Sequence, residues 1–150
     1  MQEEQNFMLL KPGTELASLT LTVTPELNQQ WLYAMEDFHP RYIEENVDGA
    51  PLVHPALLLL MSFPSKSSSF ILPAGWAPIH AADEAEFLHP ARVGSKLLVR
   101  WSITRAWEKR GRQYQEIAAR ITDEQGYDIL HRSVSITYTM ATQTTERNQA

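Results

Sequence analysis

The last third of this chain holds three stretches in which apolar residues fall on every second position: Leu97, Val99, Trp101 and Ile103; then Ile117, Ala119 and Ile121; then Val134, Ile136 and Tyr138. A period of two puts each set on one face of an extended strand, so each stretch needs a core on one side and water on the other. The connections are EKRGR, with Gly111, and DEQGY, with Gly126, and each supplies a residue able to take positive φ in a tight hairpin. Strands joined in this way form an antiparallel meander, and its apolar face must close over something.

The partner for that face lies upstream. From Leu52 to Phe63 the chain is almost wholly apolar, with Pro55 suited to the first turn of a helix and Pro64 placed to stop it. A helix apolar all round is expected to be buried. Earlier still, Leu19, Leu21 and Val23 alternate with Thr20 and Thr22 as a further strand. Thr24 then offers an N-cap with Pro25 at the first helical position, and Leu27, Trp31 and Met35 recur on one face of a helix that ends near Asp37.

Between these helices DFHPRYIEENVDGAP reads as a loop punctuated by Pro40, Gly49 and Pro51, and loops of this kind often carry function. Residues 1 to 15 read as a polar lead-in, SKSSS as a polar linker, LPAGWAP as irregular, and IHAADEAEFLH as an acidic and aromatic strand. The closing ATQTTERNQA is expected to fray.

With 150 residues, 43% of them hydrophobic and 21% charged, the chain has the make-up of one folded domain. Its formal net charge of -5 argues against nucleic acid as the main partner. The absence of cysteine excludes disulfides and thiolate chemistry and fits a reducing compartment. MQEEQNFMLL is acidic where a secretory signal is basic, and the longest apolar run, Ala56 to Met61, is too short to cross a bilayer, so the expected location is the cytoplasm. His80 and His89 flank the acidic strand, and the histidine spacing matches no compact metal motif such as H-E-x-x-H, so no metal is expected.

Three segments, HAADEAEFLHPARVGSKL, AWEKRGRQ and ITDEQGYDILHRSVSITYT, resemble the MaoC-like dehydratase family, in particular its amino-terminal, fungal fatty-acid-synthase-like branch. The likeness covers roughly residues 20 to 140. It implies an α+β fold: a single hotdog domain over residues 1–150, core roughly 16–140, in which a long central helix is wrapped by a curved antiparallel sheet of five or six strands. It also implies a homodimer, or a heterodimer with another hotdog subunit, with the substrate between protomers. An exposed edge strand gives such pairing a physical motive.

The resemblance further implies an acyl thioester of coenzyme A or of acyl carrier protein as ligand, with no cofactor, and addition or removal of water at the acyl 2,3-position. In active relatives an Asp and a His of a D-x-N-P-x-H loop handle the water, and a backbone N–H at the start of the central helix holds the thioester oxygen. Here the loop reads Asp37-Phe38-His39-Pro40-Arg41-Tyr42, with Tyr42 in the place of the catalytic His. A phenol, with an ordinary pKa of about 10, is a poor proton acceptor at neutral pH. At the helix start His54-Pro55 replaces His-Gly; proline has no N–H, which leaves those of Ala56 and Leu57 as candidate donors in the first turn.

The catalytic candidates are thus Asp37, His39, Tyr42 and His54, and the substrate-binding candidates are Ala56, Trp76, Lys109, Arg110 and Arg112. Each has a plainer alternative. Asp37 suits a turn former, His39 a solvated loop residue, and His54 a helix cap. Trp76 fits an acyl tunnel, a subunit contact or a core plug. The cations around Gly111 fit phosphates, an acidic carrier or simple solvation. The leading expectation is a hydratase or dehydratase acting on acyl thioesters, with Asp37 and His39 or His54 in displaced roles. One alternative is a non-catalytic acyl-thioester-binding subunit; another is a hotdog thioesterase using Asp37 or Glu44.

Overall fold

The computed structural model describes residues 6–141. Their elements are β1 (Leu19–Thr22), α1 (Pro25–Met35), α2 (Pro55–Ser62), β2 (Trp76–Phe87), β3 (Lys96–Lys109), β4 (Arg112–Thr122) and β5 (Asp128–Met140). All strands pair antiparallel in one sheet of order β1-β3-β4-β5-β2. The expected meander is β3 to β5, and its two hairpins turn at Gly111 (φ +74) and Gly126 (φ +84). Register shifts at His80/Ala82 in β2 and Ile103/Arg105 in β3 mark bulges, which bend strands and curl a sheet.

The alternating residues do line the core. Val99, Trp101 and Ile103 lie opposite Ile121, Ala119 and Ile117, which in turn face Leu130, Arg132 and Val134. All nine are buried. The one charged member, Arg132, points at α2: its guanidinium donates to the Leu59 carbonyl and to Ser62 Oγ, and the indole N–H of Trp101 donates to the Ser62 carbonyl at 2.7 Å. Those carbonyls belong to the C-terminal turn of a helix, where the backbone N–H ladder has run out and a cation meets the negative end of the dipole; the Ser62 hydroxyl also donates to the Leu59 carbonyl, at 3.1 Å. Arg132 also forms a two-pronged pair with Asp83 of β2, whose Oδ2 lies 3.2 Å from His80 Nε2. One side chain therefore ties the central helix to the sheet and to its far edge strand.

Several expectations need correction. The central helix spans eight residues, because Val53 donates to the Ala91 carbonyl and Leu52 bridges to Arg92, which keeps both extended. It is not buried all round: Leu57 and Leu58 are, but Leu60 is 37% exposed. On α1 the buried positions are Asn28 and Leu32, whereas Met35 is exposed. The amino-terminal stretch is not a polar lead-in from residue 6 onward, since Phe7, Leu10 and Leu16 are core residues and Phe7 packs on Phe70. The buried Gln115 amide holds that stretch by donating to the carbonyls of Phe7 and Leu10. β2 begins at Trp76, inside the segment expected to be irregular; Pro78 is tolerated there because β2 is an edge strand. The segment expected to fray, 141–150, lies outside the described residues except for Ala141, whose N–H donates to the Gly75 carbonyl at 2.7 Å. Among the described residues no helix is long and apolar enough to cross a membrane.

Candidate active site

α1 ends in a reversal that presents Asp37. Glu36 adopts φ 53, ψ 35, the left-handed region that costs a residue with a Cβ about 1–2 kcal/mol. The Asp37 N–H folds back to the Leu32 carbonyl at 3.1 Å and closes the helix. Asp37 Oδ1 then accepts the N–H of His39 at 3.2 Å, a local turn typical of aspartate. The turn-forming reading of Asp37 is therefore correct, and it leaves the other carboxylate oxygen available.

That oxygen meets His54. Asp37 Oδ2 lies 2.9 Å from His54 Nε2, while His54 Nδ1 accepts the N–H of Ala56 at 3.1 Å and so caps α2. An imidazole nitrogen that accepts carries no proton, so the neutral ring holds its hydrogen on Nε2 and donates it to Asp37. The His54 side chain is 9% exposed and that of Asp37 40%, which makes a nearly buried donor fixed behind a carboxylate that still faces water. The His54 hydrogen bond, followed by the His39 N–H, holds the Asp37 carboxyl below its ordinary value of 3.8.

The remaining loop residues stand round this pair. The Tyr42 ring lies 4.9 Å from the His54 ring, tilted by 46°. It lines two cavities. One, of about 370 Å³, is walled by Asn28, Leu32, Tyr33, Phe38 and Ile43; the other, of about 390 Å³, by Arg41, Pro55, Leu58, Phe87 and His89. Asp37 and His54 line neither, so the pair sits beside the cavities with the Tyr42 ring next to it. His39 is turned elsewhere: its Nδ1 accepts from the Arg41 backbone N–H at 3.2 Å and from Arg41 Nε at 3.1 Å. Glu44 is exposed beyond the turn formed by Pro40–Tyr42.

Two groups of candidates fall outside this cluster. The N–H groups of Ala56 and Leu57 are not free, since His54 takes both, the first on Nδ1 and the second on its carbonyl at 3.0 Å. Lys109, Arg110 and Arg112 form the β3–β4 hairpin tip, and Trp76 shares a cleft of about 290 Å³ there with Arg112 and Tyr138. The site instead adjoins residues 91–94, just before β3 begins, at the opposite end of that strand.

Sequence reasoning missed Asn28. It is 3% exposed and sits between the two halves of the site, with Nδ2 donating to the Tyr42 carbonyl at 3.0 Å and Oδ1 accepting the His54 N–H at 3.3 Å. The available signal was an amide one helical turn from Leu32, on a face that cannot leave it unpaired once buried.

Compared with known proteins, the chain matches no family model and no curated protein sequence. Solved structures do match. An (R)-hydratase from A. caviae involved in PHA biosynthesis superposes with a TM-score of 0.68 at 17% identity, over 85% of this chain and 96% of that one. A MaoC-like dehydratase from Rhodospirillum rubrum gives 0.69 at 12% identity, covering 90% and 97%. The truncated HadBC complex, a 3R-hydroxyacyl-ACP dehydratase from Mycobacterium tuberculosis, gives 0.63 at 16% identity, covering 87% and 99%. The chain has the hotdog fold of these MaoC-like dehydratases and R-hydratases.

Proposed function

We propose that this protein is a hydratase or dehydratase of 2-enoyl and 3-hydroxyacyl thioesters in which Asp37 and His54 form the water-handling pair. The observation that carries this reading is the 2.9 Å contact between a partly exposed carboxylate and a histidine whose tautomer is fixed. In the hydration direction Asp37 orients a water, takes one of its protons as the oxygen bonds to C3, and returns that proton to C2. One C–O and one C–H bond form, one O–H bond of water and the C2=C3 π bond break, and the pair is restored. His54 Nε2–H holds the carboxylate in place throughout.

Asp37 is held below the ordinary carboxylate range, which weakens it as a base, so slow turnover is the expected consequence. The occupied N–H groups at the start of α2 also leave the thioester oxygen without that backbone donor, a loss worth on the order of 100- to 1000-fold. Incubation with crotonyl-coenzyme A in D2O tests the reaction type: hydration gives a 3-hydroxyacyl thioester with one deuterium on C2. Free coenzyme A as the product would instead make the protein a thioesterase, with Asp37 directing water at the carbonyl.

A second hotdog subunit is part of the proposal. β2 is twelve residues long, pairs on one side only among the described residues, and is exposed along most of its length, with Ile79 and Phe87 on it and Leu60 of α2 also exposed. An unpaired edge with apolar surface is suited to a partner strand. The missing backbone donor supports a second reading, in which the chain assists an active partner and binds the thioester without converting it; hydration by the wild type alone would exclude it. The tip cations Lys109, Arg110 and Arg112 then meet the phosphates or the acidic carrier of a thioester from the far end of the sheet, with Trp76 beside them.

A further inference from the structure

We infer that Asn28 is the positioning residue of this site, the side chain that sets the distance between Asp37 and His54. It matters in this way only if those two residues act together as proposed above.

Asp37 and His54 come from different parts of the chain, and the backbones that carry them need a common reference. Asp37 hangs from the end of α1 and leads into the turn at Pro40–Tyr42; His54 is held by an extended segment bonded to Ala91. Asn28 is rooted in α1, where its own N–H donates to the Thr24 carbonyl at 3.0 Å. Its two amide ends then reach outward to the Tyr42 carbonyl at one side and the His54 N–H at the other. One rigid amide plane therefore joins the helix that ends at Asp37, the loop that follows Asp37, and the residue that Asp37 contacts.

The bond to the His54 N–H is buried and the bond to the Tyr42 carbonyl part-buried, so the first above all cannot be exchanged for a solvent contact without cost. The His54 N–H has a further importance, because His54 is simultaneously the cap of α2. A shift of its backbone would move Nδ1 away from Ala56 N–H, and it is that contact which puts the hydrogen on Nε2. Asn28 thus governs both the separation of the pair and the tautomer that makes it a donor–acceptor pair.

The test uses Asn28→Asp, which keeps the acceptor for His54 but loses the donor to Tyr42, and Asn28→Ser, which is too short to hold both. Carbon-13 NMR of the carboxyl follows the Asp37 titration, and nitrogen-15 shifts of labelled histidine report the His54 tautomer; neither depends on turnover. In folded variants the Asp37 midpoint is expected to rise toward 3.8, and the His54 signals to show both neutral tautomers. Where wild-type hydration is measurable, kcat falls about 100-fold, as for a catalytic group displaced by about 1 Å, with KM changed less than about threefold. Folded variants with wild-type titration and tautomer would overturn the inference. Failure of both variants to fold would also overturn it, since Asn28 would then be a structural requirement. Absent wild-type turnover with altered NMR signals would count against the proposed reaction while leaving the positioning role intact.

Discussion

Asp37 Oδ2 and His54 Nε2 stand 2.9 Å apart although the two residues are 17 positions apart in the chain. The contact joins a helix C-terminus to a helix N-cap, two places where a backbone already needs polar partners. The expected consequence is electrostatic. The Asp37 carboxyl titrates below 3.8, and His54→Leu moves its midpoint up toward that value. Since the folded-state value is depressed, the associated stability is present above the unfolded value and is lost as pH falls through the folded one. A wild-type Asp37 midpoint at or above 3.8, read by NMR, contradicts the contact.

The pair of Arg132 and Asp83 gives a second expectation. Arg132 is buried and Asp83 about a third exposed, and the guanidinium first of all holds Asp83 below its ordinary range. Asp83→Asn leaves that guanidinium facing a neutral partner, which should cost roughly 2–3 kcal/mol, at the low end for a buried pair because water screens one side. In a chain of this size that is a fall in Tm of roughly 4–12 °C at neutral pH. The difference from wild type shrinks as pH drops below about 4 and Asp83 itself protonates. Calorimetry at pH 7 and pH 3 checks both parts.

Much of the frame was legible because it rests on repetition. The alternation in β3 to β5 fixes which residues face the core, and Thr24-Pro25 and Pro55 mark helix starts by local chemistry alone. Single polar side chains on apolar faces were harder. Asn28 is buried because two backbones approach it from residues 42 and 54, and its one local signal, a place one turn from Leu32, does not reveal those partners. The same holds for Phe7: a short 3-10 turn has no periodicity, and its burial depends on Phe70 and the Ile71 carbonyl. His54 was ambiguous because its ring has two partners, the N–H of Ala56 at Nδ1 and Asp37 at Nε2.

Leu58 is 3% exposed on the inner side of α2. Leu58→Asp places an unpaired carboxylate in the core and should destabilise the fold by more than about 4 kcal/mol. A melting temperature equal to wild type would mean that the face of α2 is misassigned.

Tyr42→His with Pro55→Gly restores an imidazole beside the pair and an N–H at the first position of α2. Hydration of crotonyl-coenzyme A should rise in this double variant by on the order of 100-fold or more, since an added base and an added oxyanion donor each contribute at least that much in other enzymes. An unchanged rate in a folded double variant would show that these two positions do not limit the reaction.

Whether Asp37 handles the water is read from the loss of enoyl absorbance of crotonyl-coenzyme A, compared between wild type and Asp37→Asn. Slow hydration by the wild type, proportional to protein concentration, is expected, with none above background in Asp37→Asn at equal folded concentration. Turnover that survives Asp37→Asn, or no turnover by the wild type at any concentration, would contradict this role.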